Sequence, residues 1–380
     1  MRGAPGRILA LLLVGSALFS CQRASEALDL TVGVIYPATG PYSKAVGDQT
    51  RNGILLARDF AERTHPLKNR GHDLNLRIDF EDDKNLPEEG VFTARKLINQ
   101  KNVSVLIGAP LSQVALPVGL VAEAKRVPFI STMGSHPALT YGKGYVFRIN
   151  PGISSRAVAL ARFARTTLGL QVAGTVFDTS NPYSKAAALS FKAEWIKQGG
   201  VWIPGASHEP DVTDFVDVLA ALSRQGAQTI FLPDYDPAIS REMAAWPSPN
   251  VVPLGMDGLA LDLRTKVWPQ KLYFASGEVP GAGSPGMDDF TNAYRSHFGA
   301  EPNVAAATAY DAFLYFWAAL ARTEDWDAQG IAASLRSITD FKGITGTLHF
   351  AGSGTPNVES QVYSYSIPGS LRRESTGNEP

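Results

Sequence analysis

From Leu30 onward, short runs of β-branched and apolar residues alternate with amphipathic stretches, the pattern produced by parallel sheets whose strands are joined by crossover helices. The pattern predicts strands at Leu30–Ile35, Leu74–Phe80, Val103–Ile107 and Val127–Ser131, with helices near Gly47–Arg63, Pro87–Gln100 and Gln113–Lys125. A second series of the same design follows. Its strands are Val172–Phe177, Val201–Ile203, Thr229–Leu232 and Val251–Leu254, and its helices are Ser184–Gln198, Val212–Arg224 and Pro237–Ala244. Tyr145–Asn150 joins the two series. It is short, apolar and extended, without the Gly/Ser composition of a flexible linker, and reads as a crossover strand.

After a strand at Lys271–Ser276 the pattern turns to helices, at Met287–Phe298, Val304–Ala321 and Asp327–Ile338, and then to strands Gly346–Phe350 and Val362–Ile367. These late elements are expected to complete the first unit and then cross again. Residues 369–380 are polar and charged and read as a disordered tail. Alternating strands and helices in two series give an α/β fold, and a body of this length exceeds what one compact core holds, so two lobes are expected.

The first residues form a separate signal. Arg2 and Arg7 precede an apolar run, Ile8–Leu18, that is too short to span a bilayer, and Cys21 follows. Residues 1–21 therefore read as an export signal. Leu18-Phe19-Ser20-Cys21 resembles the cleavage box of bacterial lipoproteins, which would make Cys21 the lipidated first residue of a membrane-anchored mature protein facing the periplasm or cell exterior. Cys21 is the only cysteine, so no internal disulfide competes for it. An ordinary signal peptide with a chance cysteine is the alternative.

Charge narrows the partners. With 35 basic and 36 acidic residues, nothing points to a nucleic acid, and a small molecule becomes the expected ligand. Metal and cofactor chemistry find no support in spacing: the six histidines show no close ligand pairing and one cysteine builds no zinc set. Gly281-Ala-Gly283-Ser-Pro-Gly286 has the spacing of a dinucleotide loop, but Pro285 removes a backbone donor and no βαβ unit follows. No G-x-S-x-G elbow occurs, and the chain is read as a non-enzyme.

Four segments together resemble the leucine/isoleucine/valine-binding-protein family, the type I periplasmic binding proteins of ABC importers. They are Val32-Gly-Val-Ile-Tyr-Pro-Ala-Thr-Gly-Pro41, Val105-Leu-Ile-Gly-Ala-Pro-Leu-Ser112, Val127-Pro-Phe-Ile-Ser131 with Phe147-Arg148, and the pair Ala309-Tyr310-Asp311-Ala312 and Phe341-Lys-Gly-Ile-Thr-Gly-Thr-Leu-His-Phe350. Their order spans essentially the whole mature chain. The resemblance implies two Rossmann-like lobes joined by crossover strands, residues 28–147 with 277–347 and residues 148–276 with 348–368. It further implies a monomeric receptor that closes on an amino acid or analogue and engages ABC permease and ATPase subunits. A sensory or regulatory module of the same fold, taking an amide, urea or aromatic acid, is the competing expectation.

The matching positions propose a site. An α-amino acid needs donors for its carboxylate and acceptors for its ammonium once buried. Ser112, opening a helix after a strand, would offer its hydroxyl and free amides to an anion, or serve only as a cap. Gly134 and Ser135 fall where the family commonly has Ala-Thr, so the hydroxyl is kept while the threonine methyl, and the packing it would give a ligand, is missing. Asp257 matches the acidic position that accepts the ammonium, its plain alternative being a turn residue beside Gly258. Tyr183 and Tyr235 lie in loops at strand ends where an aromatic can cover a ligand. Tyr42 is a further candidate, or a surface loop residue.

Overall fold

The computed structural model describes residues 28–375, apart from 70–71, 210–211, 213, 236–237, 262–270, 283–284, 359 and 367–369. Arg2, Arg7, the apolar run and Cys21 lie outside the described residues. Among the described residues no helix is long and apolar enough to cross a membrane.

The first series folds as expected into a parallel sheet. Strands β1 (Leu28–Tyr36), β2 (Lys68–Asn69), β3 (His72–Asp82), β4 (Val105–Gly108), β5 (Phe129–Ser131) and β6 (Val146–Arg148) lie in the order β2-β3-β1-β4-β5-β6, with helices α1 (Gln49–Thr64), α2 (Pro87–Lys101) and α3 (Ser112–Lys125) between them. Only β2 runs antiparallel to its neighbour. Strand alternation explains the layering. Leu30, Val32, Val34, Val105 and Ile107 join α1 residues Ile54 and Ala57 on one face, while Ile35 and Leu106 join Leu97, Val114 and Val118 of α2 and α3 on the other.

The second series supplies α4 (Ile153–Thr166), β7 (Val172–Asp178), α5 (Pro182–Lys197), β8 (Val201–Trp202), β9 (Ala206–His208), α6 (Val216–Arg224), β10 (Thr229–Leu232), α7 (Ala238–Ala244), β11 (Val252–Gly255), α8 (Asp257–Ala260) and β12 (Leu272–Ser276). The chain then returns to the first sheet with α9 (Pro285–Phe298), α10 (Val304–Leu320) and α11 (Ala328–Ser337), makes the hairpin β13 (Asp340–Gly343) and β14 (Gly346–His349), and ends in β15 (Gln361–Ser366) and β16 (Ser370–Glu374). The second sheet runs β16-β15-β12-β11-β10-β7-β8, with β9 also paired to β7. The arrangement is a two-sheet α/β fold with parallel strands at its centre.

Several local expectations are corrected. The predicted helix from Gly47 starts earlier, as a π-helical turn at Ser43–Asp48 in which the Tyr42 carbonyl accepts from both Val46 N (2.9 Å) and Gly47 N (3.0 Å). The predicted helix Val212–Arg224 begins only at Val216, and the stretch before it holds β9. Pro204 interrupts the ladder, because it has no N–H to donate, and the chain pairs with β7 again only from Ala206. Helix α4 was not among the expected elements. The expected disordered tail is a strand over Ser370–Glu374, paired antiparallel with β15; a polar, charged sequence suits an exposed edge as well as it suits disorder.

The hairpin β13–β14 explains two of the motif segments. Asp311 of α10 is wholly buried and accepts from Ile344 N (2.9 Å), Thr345 N (2.8 Å) and Thr345 Oγ1 (2.5 Å), so one carboxylate fixes the turn. A Cβ on Gly343 would stand 2.2 Å from that carboxylate, which leaves room for glycine alone. Burial pushes the Asp311 carboxyl up to about 6 against the three donors that hold it down.

Candidate functional site

The two sheets meet where their parallel strands end, the usual place for a ligand in such folds. Leu111, not Ser112, occupies the cap position of α3, and Ser112 is its first helical residue. The Ser112 hydroxyl therefore does not cap its own helix; it accepts from Ser135 N at 3.2 Å. Ser135 is wholly buried, and its hydroxyl has no hydrogen-bond partner among the described residues. An orphaned hydroxyl of this kind costs about 1–3 kcal/mol unless something outside the protein pairs with it. Gly134 has a packing reason: a Cβ there would lie 2.5 Å from Ser131 Oγ, which accepts from Gly134 N.

Asp257 opens α8 and is wholly buried. Its Oδ1 accepts from the Tyr183 hydroxyl at 2.6 Å, and its Oδ2 accepts from Arg156 Nη1 at 2.5 Å and from Asn150 Nδ2 at 3.0 Å. Asn150 also donates to the Met133 carbonyl at 2.8 Å, and Ile153 N donates to the Ser135 carbonyl at 3.0 Å. The crossing segment between β6 and α4 thus ties the serine pair to Asp257. Gly258 lets α8 approach the second sheet, since a Cβ there would stand 2.2 Å from the Asp234 carbonyl. The glycine answers a packing need and leaves Asp257 facing side chains rather than a turn.

The tyrosines converge on the same place, Tyr183 from the first turn of α5, capped by Asn181, and not from a loop as expected. Tyr183 and Tyr235 are stacked with centroids 4.3 Å apart, and Tyr42 meets Tyr235 edge-on at 6.5 Å. Val46, Leu111 and Met133 from the first sheet's side share one apolar cluster with Tyr183, Tyr235, Met256 and Leu259, so side chains from both sheets pack together here. Ser112, Gly134, Ser135, Tyr42, Tyr183, Tyr235 and Asp257 are accordingly gathered at one junction.

Asn150 and Arg156 were missed by sequence reasoning. Arg156 carried a signal: within α4 it shares the face of Ile153, Ala157 and Leu160, so a cation stands at a core position of an apolar stripe. Burial works to lower the Arg156 pKa, but the Asp257 carboxylate more than offsets it, and the guanidinium is held charged. Burial, then the charge of Asp257, pushes the Tyr183 and Tyr235 hydroxyls well up, so both remain neutral donors. The junction therefore offers one paired anion and cation, two phenol hydroxyls and an unpaired serine hydroxyl.

Similarity to known proteins extends to the family and the fold. The family model described as "Periplasmic binding protein" matches residues 29–369. A Brucella melitensis protein called Leu/Ile/Val-binding protein homolog 3 is 27% identical over 208 residues, which cover 54% of this chain and 55% of that protein's length. The crystal structure of a leucine-binding protein of Thermotoga maritima aligns with a TM-score of 0.79 and 24% identity, covering 91% of this chain and 98% of its own. A solute-binding protein of an ABC transporter from Rhodopseudomonas palustris, in complex with 3,4-dihydroxybenzoic acid, aligns with a TM-score of 0.79 and 20% identity over 91% and 96% of the two chains. With the family model spanning both sheets and the crossings between them, the chain belongs to the periplasmic binding protein family.

Proposed function

We propose that this chain is the exported substrate-binding component of an ABC importer and closes its lobes on an amino acid or a related small polar compound of zero net charge. The observation that carries the reading is the buried pairing of Asp257 with Arg156 at the closed junction. The pair is neutral overall, and a second net charge enclosed beside it would be costly in a site that excludes water. A zwitterion adds no net charge: its ammonium lies towards Asp257 and the Met133 carbonyl, its carboxylate towards Ser112, the Ser135 hydroxyl and the first amides of α3. Tyr183 and Tyr235 cover the ligand, and Tyr42 closes the edge.

Lobe closure stabilised by contacts from both sides would present the loaded state to permease and ATPase subunits. Lipidation at Cys21 would keep the receptor at the membrane. A second reading draws on Arg156: if the guanidinium leaves Asp257, it can take a bidentate carboxylate, and the site then suits an aromatic acid. The sensory alternative would use the same cleft.

A thermal-shift and calorimetric screen of protein lacking residues 1–21, against amino acids, short amides and benzoates, separates these readings. A zwitterionic ligand at a hundred times its dissociation constant should stabilise the protein by about 2.7 kcal/mol. Binding of benzoates with no response to any amino acid would overturn the charge-neutral reading in favour of the aromatic acid. Membrane attachment of the full chain should disappear in Cys21→Ala.

A further inference from the structure

A second polar cluster lies behind the tyrosines, inside the second lobe. His208 ends β9, Asp234 follows β10 and Glu242 sits in α7, and all three are buried. One ligand atom from each lies within 4.8 Å of the others. The hydrogen bonds around them leave an electrostatic problem. His208 Nδ1 stands 2.9 Å from the Glu209 carbonyl, which can only accept, so that nitrogen carries the proton. His208 Nε2 then faces Asp234 Oδ2 at 2.8 Å. Glu242 is wholly buried beside them, and neither of its carboxylate oxygens has a hydrogen-bond partner among the described residues. Burial, then the Asp234 carboxylate, pushes the Glu242 carboxyl well up, against the Arg241 guanidinium that works to lower it.

The geometry points to a divalent transition-metal site, for which zinc is the fitting ion, formed by His208 Nε2, Asp234 Oδ2 and Glu242. The donor set is one imidazole and two carboxylates, and a zinc ion would neutralise the charge these acids bury. The outer partners are already in place. The Glu209 carbonyl fixes the tautomer that turns Nε2 inward, while Ser184 Oγ and Asp178 N, the latter at 3.1 Å, both donate to Asp234 Oδ1 and leave Oδ2 for the ion. Zinc bonds of about 2.0–2.2 Å set tetrahedral donors about 3.4 Å apart, so Nε2 and Oδ2 part slightly from 2.8 Å and Glu242 swings in to complete the set. Ser184 and Asp234 are the chain neighbours of Tyr183 and Tyr235, so the ion would brace the backbone carrying the stacked pair.

Calorimetry of the metal-stripped full-length chain with zinc chloride tests the site, with cobalt(II) absorption reporting the ligand geometry. The expected result is one ion per chain, a raised unfolding midpoint, and tetrahedral cobalt bands. Ser184→Ala should weaken zinc about tenfold through the loosened Asp234. His208→Ala and Glu242→Gln should each abolish stoichiometric binding; Glu242→Gln removes a buried charge without changing shape, so its folding provides the control. No zinc binding by the wild-type chain overturns the inference. So does zinc binding that survives Glu242→Gln unchanged, which would place the ion on exposed histidines such as His297 or His349.

Discussion

Asp257 and Asp311 are both wholly buried aspartates, one in each half of the fold, and their surroundings differ in kind. Asp311 is satisfied by two backbone amides and a hydroxyl from adjacent residues of one turn. Asp257 is satisfied by side chains from three separate places, Tyr183 in α5, Arg156 in α4 and Asn150 in the crossing segment. A carboxylate held by neighbouring backbone groups fixes a local shape. One held by side chains from elements far apart in the chain can exchange partners with a ligand, because those side chains rotate and backbone amides do not.

Breaking the ion pair should have the largest effect. Arg156→Ala leaves Asp257 buried and unpaired, and chemical denaturation should show a loss of about 3–5 kcal/mol. A loss below about 1 kcal/mol would mean that the junction is wetter, and Asp257 less dependent on Arg156, than the closed structure indicates. Asp311→Ala comes next, at about 2–3 kcal/mol from the stranded amides of Ile344 and Thr345, while ligand affinity should hold. If affinity fell with it, the two aspartates would not be separable in role.

The pH dependence sharpens the same contrast. Asp311 has a folded-state pKa raised to about 6, above its unfolded value, so the folded protein holds the proton more firmly. Its contribution to stability is full below about pH 4 and is lost as pH rises towards about 6. Urea midpoints should decline across that window, and Asp311→Asn should flatten the decline. Asp257→Asn keeps the shape and removes the charge. For a zwitterionic ligand it should raise the dissociation constant by about 10–100-fold, the worth of a charged hydrogen bond, and an unchanged constant would remove Asp257 from the site. The smallest effect belongs to Tyr183→Phe, about 1 kcal/mol in stability with the Tyr183–Tyr235 stack retained.

Much of the architecture was legible in the chain. Buried parallel strands must be apolar on both faces and their helices amphipathic, so Val32–Ile35, Val105–Ile107 and Thr229–Leu232 announce themselves by composition alone. The elements that escaped have no such signature. The tail strand β16 is polar because it is an edge, and α4 went unnoticed although its buried Arg156 is the partner that determines what Asp257 can offer. The metal candidate shows the same limit: His208, Asp234 and Glu242 are 26 and 8 residues apart, with no motif spacing, and only the shared strand ends bring them together.

The sequence by itself determined the elements, their order and the residues that reach the ends of the strands, because hydrophobic period and turn chemistry are local properties. Only the tertiary structure decided that Ser112 serves Ser135 rather than its own helix, that Asp257 is paired with Arg156, and that Asp311 anchors a turn. Hydrogen bonds and ion pairs between distant residues depend on how helices, turns and strands far apart in the chain pack together, and no window along the chain contains that information.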